Sequence, residues 1–238
     1  MNRARLQISP GVMLDARRAV FLEEESVLAV ADLHLGYAWA HRSRGQLMPV
    51  SAPDDTAERL GILLDEYRPR TVALLGDIVH DHVPLAEFRR ELVGFLDGLE
   101  QRAELRLVAG NHDRHLAREI TQPLIRDLQV GPHRLIHGDG FSPPAAAAMF
   151  ADLRGTGGTL LMGHEHPAIG ISDRVAHHTR VPCFLAGDGL VVLPAFSSWA
   201  AGCDVRRGVF MSPFPAATPL TRCVAILAGK LLAMPWGK

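Results

Sequence analysis

The sequence predicts an α/β fold in which two β-sheets pack as a sandwich flanked by helices. Three observations predict it. Short apolar runs alternate with helical periodicity in the first half, strand-like runs broken by Gly and Pro crowd the second half, and polar clusters follow the apolar runs directly. Val27–Val30 is a continuous apolar run suited to a strand buried on both faces. Residues 53–67 read as a helix. Pro53 suits its first turn, Asp54 and Asp55 favour its positive N-terminal end, and Ala57, Leu60, Leu64 and Tyr67 make one apolar face. Thr71–Leu75 is a second buried strand. Leu85, Phe88, Leu92, Phe95 and Leu99 recur at helical spacing, and residues 105–109 form a third strand. This strand, helix, strand rhythm implies crossover connections and a largely parallel sheet.

In the second half, residues 133–136, 159–162, 183–185, 190–193, 224–227 and 231–233 are strand candidates, with one helix near 144–153. Ala228-Gly229-Lys230 makes a hairpin turn between the last two. The chain shows no internal repeat and no low-complexity linker, and its 238 residues fit a single domain spanning 1–238.

Composition narrows the function classes. The formal net charge of -1 announces no nucleic-acid binder, although a local basic patch remains compatible with it. No apolar run approaches the roughly 18 residues of a membrane span. Residues 1–11 carry Arg3 and Arg5 and lack the apolar core of a signal peptide. Cys183, Cys203 and Cys223 are odd in number and far apart, with no Cys-x-x-Cys pair, so neither a zinc knuckle nor a disulfide framework is expected. A cytoplasmic protein with reduced thiols and no membrane association is the expectation.

The chemistry lies in the polar clusters. Asp32-Leu33-His34 follows the first buried strand. Residues two apart at a strand end point the same way, so a carboxylate and an imidazole can meet one ion. Gly76-Asp77 follows the second strand, and Gly110-Asn111-His112-Asp113 the third. His137-Gly138-Asp139 and Gly163-His164-Glu165-His166-Pro167 follow two strands of the second half. Singly, each has an ordinary explanation as a turn, a helix cap or a surface histidine. Together they set Asp32, His34, Asp77, Asn111, His137, His164 and His166 at the carboxyl ends of strands, where α/β sheets bind ligands. Oxygen and imidazole donors without thiolate suit Mn²⁺, Fe²⁺ or Zn²⁺ better than a closed structural zinc site. Two such ions, about 3.5–4 Å apart, can share a bridging carboxylate. His112 can donate a proton or a hydrogen bond, and Asp113 is expected to orient it.

This order of motifs resembles that of the calcineurin-like metallophosphoesterases over residues 28–167. The resemblance implies that Asp32, His34, Asp77 and His166 hold a first metal. It implies that Asp77, Asn111, His137 and His164 hold a second, with Asp77 bridging. It places His112 at the scissile phosphate, paired with Asp113, as the catalytic groups. The implied activity is phosphodiester hydrolysis by a metal-bound hydroxide at two divalent ions, most naturally Mn²⁺.

A narrower resemblance, carried by Asp32-Leu33-His34-Leu35-Gly36, 163–168, Pro182-Cys183-Phe184 and 192–196, is to the small SbcD-like phosphoesterases. That group includes the ligase-associated DNA damage response endonucleases of the PdeM type. It implies a DNA endonuclease or exonuclease acting in repair, beside proteins such as a ligase or a helicase. Larger nuclease relatives carry Gly-Asp-x-x-Asp, whereas here His80 stands at the last position, leaving His80 and His82 without a role. The competing expectation is a small-phosphodiester hydrolase acting on a cyclic nucleotide or on UDP-2,3-diacylglucosamine. A non-enzymatic scaffold on the same fold is disfavoured because the ligand set and His112 are all present. His41, Arg42 and Arg44, and likewise Arg114, His115 and Arg118, are candidates for the mouth of the site. Phe196 and Trp199 are expected in the core, with base stacking as the alternative. His177-His178 reads as a surface pair, and Asp188 and Asp204 as turn residues.

Overall fold

A computed structural model describes residues 4–47, 55–83, 86–172, 178–200 and 202–237. The chain opens with an antiparallel meander of β1 (Arg5–Ser9), β2 (Val12–Asp15), β3 (Ala19–Leu22) and β4 (Val27–Val30). Helices α1 (Tyr37–Ser43) and α2 (Thr56–Tyr67) lead to β5 (Thr71–Leu75). Helix α3 (Ala86–Glu100) leads to β6 (Glu104–Val108), which is followed by the short β7 (Leu124–Ile125). Strands β4 to β7 are parallel, so the first sheet is antiparallel on one side and parallel on the other. The second sheet begins with β8 (Asp127–Val130) and β9 (His133–Ile136), then α4 (Pro143–Thr156) and β10 (Leu160–Met162). It continues through β11 (Pro167–Ser172), β12 (His178–Gly187), β13 (Leu190–Val192) and β14 (Cys203–Asp204). Helix α5 (Phe214–Ala217) precedes the closing hairpin of β15 (Leu220–Leu227) and β16 (Lys230–Pro235). Strands β9, β10 and β13 are parallel neighbours at its centre.

Strand alternation divides the apolar residues among three cores. From β4 and β5, Leu28, Val30, Val72 and Leu74 face α2 and α3 and meet Leu60, Leu63, Phe88, Leu92 and Leu96. Their neighbours Ala29, Ala73 and Leu75 face the second sheet and meet Leu135, Leu161, Phe184 and Val191. On the far side, Leu160, Met162, Leu190 and Val192 pack against Met149, Phe150 and Leu153 of α4 and against Phe214. The layers therefore run helix, sheet, sheet, helix, as the sequence predicts, and runs such as Val27–Val30 are apolar throughout because both faces are covered.

Two details depart from the sequence reading. The meander β1–β3 was not expected. In α2, Ala57 is exposed while Thr56 and Leu63 join Leu60 and Leu64 in the buried face. Pro53, Asp54, Leu85 and His177 lie outside the described residues, as does the side chain of His178. The 228–229 turn does close the last hairpin, with Ala228 and Gly229 both at positive φ, as a two-residue turn matched to strand twist demands. Helix α4 carries the expected start and stop. Ser142 accepts a hydrogen bond from the Ala145 N–H, and Gly157 ends the helix in the left-handed conformation. No helix among the described residues is long and apolar enough to cross a membrane.

One buried ionic knot ties the meander to α2. Asp15 is 1% exposed. It accepts hydrogen bonds from the backbone N–H and Nε of Arg17 at 2.8 Å, from Arg17 Nη2 at 2.6 Å and from the Tyr67 hydroxyl at 2.8 Å. Burial opposes its charge, but the hydrogen bonds from Arg17 and Tyr67 outweigh that and hold its carboxyl below the usual range. A depressed folded-state pKa means stability that is present above the unfolded value of about 3.9 and is lost as pH falls toward the folded one. Asp15→Ala is expected to lower the unfolding free energy by about 1–3 kcal/mol at neutral pH, because it leaves the buried end of the Tyr67 hydroxyl without its acceptor and Arg17 with Glu66 alone. Urea unfolding across pH 7 to 3 checks this. The deficit should shrink below about pH 4, and a pH-independent deficit would show that lost packing, not the ionised carboxylate, is responsible.

Candidate metal centre

Each predicted cluster sits at the carboxyl end of a parallel strand. Asp32 and His34 follow β4, Asp77 follows β5, and Asn111 to Asp113 follow β6, all on the first sheet. His137 follows β9, and His164 and His166 follow β10, on the second. The loops after β4 and β5 stay paired beyond the strands. The N–H groups of Asp32, His34 and Leu35 donate to the carbonyls of Gly76, Asp77 and Ile78 at 3.1, 2.9 and 2.8 Å. Across the sandwich, the His164 N–H donates to both carboxylate oxygens of Asp32 at 3.1 and 3.2 Å.

The backbone there is strained. Among the described residues nine non-glycine positions have positive φ, and five of them are Asp32, His34, Asp77, His164 and His166. That conformation is costly for residues with a Cβ and persists where surrounding structure enforces it. Gly110 allows the closest approach, since a Cβ there would lie 2.3 Å from both the backbone nitrogen and Oδ1 of Asp77.

The side chains form two clusters that share one residue. In the first, ligating atoms of Asp32, His34, Asp77 and His166 all lie within 4.8 Å of one another; in the second, those of Asp77, His137 and His164 do. His34 Nε2 stands 3.3 Å from His166 Nε2, and His164 Nδ1 stands 3.1 Å from His137 Nε2. Asn111 Oδ1 reaches within 3.4 Å of His137 Nε2, which brings it to the second cluster. The seven predicted ligands thus converge. The tautomer of His137 follows from its neighbours: Nδ1 faces the Leu75 carbonyl at 3.0 Å, so it carries the proton and leaves Nε2 as a lone-pair donor.

The electrostatics suit a cation. Burial opposes charge on Asp77, but the hydrogen bond and charge of His137, with the His112 N–H, hold its carboxyl well below the usual range. Burial likewise opposes charge on Asp32, and His166 and His137 overcome it. In the field of these two carboxylates His137 is pushed up to about 9 despite its burial, and His166 is raised as well. His34 goes the other way, to about 4, because burial dominates. His34 Nδ1 is buried without a hydrogen-bond partner. Facing imidazole nitrogens and ionised buried carboxylates are what divalent ions with oxygen and nitrogen ligation satisfy, so the residues present fit such ions.

His112 lies beside the clusters. Its Nδ1 is 2.5 Å from the His80 carbonyl, its backbone N–H donates to Asp77 Oδ1 at 2.9 Å, and its Nε2 is 3.9 Å from Asp77 Oδ2. This corrects one expectation. Asp113 does not orient the His112 ring, because its two oxygens accept from the backbone N–H groups of Val79 at 3.1 Å and Gly110 at 2.8 Å. Burial raises Asp113 to about 6. It braces the loops after β5 and β6, and the ring is oriented by the His80 carbonyl instead.

Sequence reasoning gave two other residues no role. His80 supplies that carbonyl, and its ring belongs to a third group with His34 and His112. Its place three residues after Asp77 was a signal for proximity. Glu165, between the ligand candidates His164 and His166, is buried and accepts from the N–H groups of Met211 and Ser212 at 2.8 and 2.7 Å, anchoring the turn that carries them. Nothing short of the fold reveals that contact. Arg42, Arg44 and Arg114 are exposed; Arg44 pairs with Asp81, and His82 meets His115 ring to ring at 4.9 Å. Phe196 is fully buried in the core as expected, while Trp199 is only half-buried. Asp204 accepts from the Arg206 N–H at the start of a short turn of helix.

Comparison with known proteins agrees with this geometry. Over the whole length, the fold is similar to that in the crystal structure of Pseudomonas putida nuclease MPE. The two are 21% identical, the match covers 98% of this chain and 100% of that one, and the TM-score is 0.64. A second solved structure, the Escherichia coli phosphoesterase Yfce, matches at 16% identity over 72% of this chain and 80% of its own, with a TM-score of 0.40. No curated protein matches. The family model described as calcineurin-like phosphoesterase matches residues 26–174, the stretch that holds every ligand candidate from Asp32 to His166. The chain belongs to the calcineurin-like phosphoesterase family.

Proposed function

We propose that this metallophosphoesterase hydrolyses phosphodiester bonds at a dinuclear metal centre and that its substrate is DNA. The observation that most supports the reading is the double membership of Asp77 in two ligand clusters, one with Asp32, His34 and His166, the other with His137 and His164. In this reading those groups, with Asn111 in the second, each hold one ion, and Mn²⁺ suits the mixed oxygen and imidazole donors. When bound, two divalent ions neutralise phosphoryl charge and activate water. The chain's own groups do the rest. The N–H of His112 fixes Asp77 Oδ1, and the N–H of His164 fixes Asp32. His112 commits its Nδ1 proton to the His80 carbonyl and keeps Nε2 for the substrate. A protonated Nε2 donates to a phosphoryl oxygen or to the departing alkoxide, which otherwise leaves as a strong base. Asp113, as a brace between loops, keeps His112 at that distance. A nucleic-acid substrate is supported by the nuclease whose fold the chain shares along its full length.

Metal retention separates the two roles. Asp77→Ala removes a ligand common to both clusters, so bound metal and turnover are expected to fall together. His112→Ala is expected to keep its metal while turnover on DNA drops roughly 10²–10⁴-fold. Elemental analysis beside single-turnover cleavage measures both, and loss of metal from His112→Ala would remove that residue from its assigned role.

Substrate class is read from one panel. Mn²⁺-loaded protein is expected to cut single-stranded or duplex DNA, and to act more weakly on simple monoesters. Chelation should abolish activity, and Ca²⁺ should restore less of it than Mn²⁺. Hydrolysis confined to a UDP-diacylglucosamine lipid or a cyclic nucleotide, with DNA intact, would move the substrate to that class.

A further inference from the structure

A run of rings leads from the ligand clusters to the surface. His34 meets His80 at 5.4 Å and His112 at 5.3 Å, both edge-on. His80 lies nearly parallel to His112, with 19° between their planes. Tyr37, the first residue of α1, sits 4.5 Å from His80 and, one helical turn on, 4.3 Å from His41. Trp199, from the loop after β13, stacks on Tyr37 at 5.4 Å with only 6° between the rings. Its backbone N–H is held by Ser197 Oγ at 3.2 Å. Two contacts thus separate a ligand histidine from Tyr37, and a third reaches Trp199.

Core packing does not account for the outer pair. Nearby Phe196 is what a core aromatic looks like here: it is fully buried, with the Arg59 guanidinium 4.2 Å over its ring. Tyr37 and Trp199 are each only half-buried and belong to none of the three apolar cores. They come from opposite halves of the chain, so the fold, not local sequence, stacks them in parallel planes. Trp199, at the outer end of this run of rings, is partly exposed beside a phosphate-directed site, and an indole there can stack on the flat face of a base of any identity.

We propose that Tyr37 and Trp199 form a stacking platform for the nucleobase that flanks the scissile phosphate, with His41 and His80 as its inner wall. The inference rests on the nucleic-acid reading above and extends it, since the enzyme would then bind the base as well as the phosphate. Stacking of this kind is worth roughly 5- to 100-fold per base.

The test uses the full-length Mn²⁺-loaded protein on three substrates: an oligonucleotide, the same oligonucleotide with an abasic nucleotide next to the cleaved bond, and bis(p-nitrophenyl) phosphate as a check of competence. The parent should favour the base-bearing strand. Trp199→Ala should lose roughly 5- to 100-fold in kcat/KM on that strand, mostly through KM, and should no longer distinguish it from the abasic one. Trp199→Phe should restore most of the preference, and the oligonucleotide should quench tryptophan fluorescence in the parent more than in Trp199→Phe. Equal losses on base-bearing and abasic strands, or cleavage by Trp199→Ala as fast as by the parent, overturn the platform and leave the nuclease reading standing. Hydrolysis of the aryl diester with every oligonucleotide intact overturns the nucleic-acid reading and the platform with it.

Discussion

Asp77 sits at the end of a buried strand in the left-handed backbone region, one residue after a glycine and pressed against another. One of its oxygens is fixed by the N–H of His112, and its carboxylate reaches both ligand clusters. Almost every other feature of the site is a condition for that placement. Strand β6 must come close enough that Gly110 can carry no side chain. The loops after β4 and β5 must remain hydrogen-bonded beyond their strands, which brings Asp32 and His34 alongside. Four more ligand candidates share the same left-handed backbone, each costing on the order of 1–3 kcal/mol. Three apolar cores around a double sheet provide the burial that offsets this.

What supports the ligands is largely main chain. The Leu75 carbonyl sets the tautomer of His137, the His80 carbonyl holds His112, and the N–H groups of His112 and His164 hold the two carboxylates. Side chains such as Asp113 and Glu165 act one step further out, on the loops themselves. Apart from the Leu75 carbonyl of β5, these groups lie in the turns just after β5, β6 and β10, where backbone hydrogen bonds continue past the strands, which favours a fixed geometry at the ligand candidates.

This division explains what was legible in the sequence. Strands Thr71–Leu75 and His133–Ile136 lie where the sequence placed them, and Val72–Leu75 are apolar throughout because both faces of that strand are covered. The seven ligand candidates were legible because each follows such a run and because glycine marks the close approaches. The meander β1–β3 was not, since its strands are only four or five residues long and are interrupted by polar positions such as Arg5, Gln7 and Asp15. Ala57 was assigned to the wrong face of α2 because alanine fits either, while Leu63 decides the true one. The partner of Asp113 was also hidden. Its adjacency to His112 in sequence suggested a contact, but adjacent residues leave a turn in different directions, and its oxygens reach Val79 instead.

The ligand candidates divide between the two sheets, those from Asp32 to Asn111 on the first and those from His137 to His166 on the second. A chain emerging from the ribosome therefore presents the first sheet, with Asp32, His34, Asp77 and Asn111, before any imidazole of the second exists. Neither cluster is complete until residues 160–166 have been made and docked through the core between the sheets. On the dinuclear reading proposed above, the full ligand set for either ion is therefore assembled only late in folding.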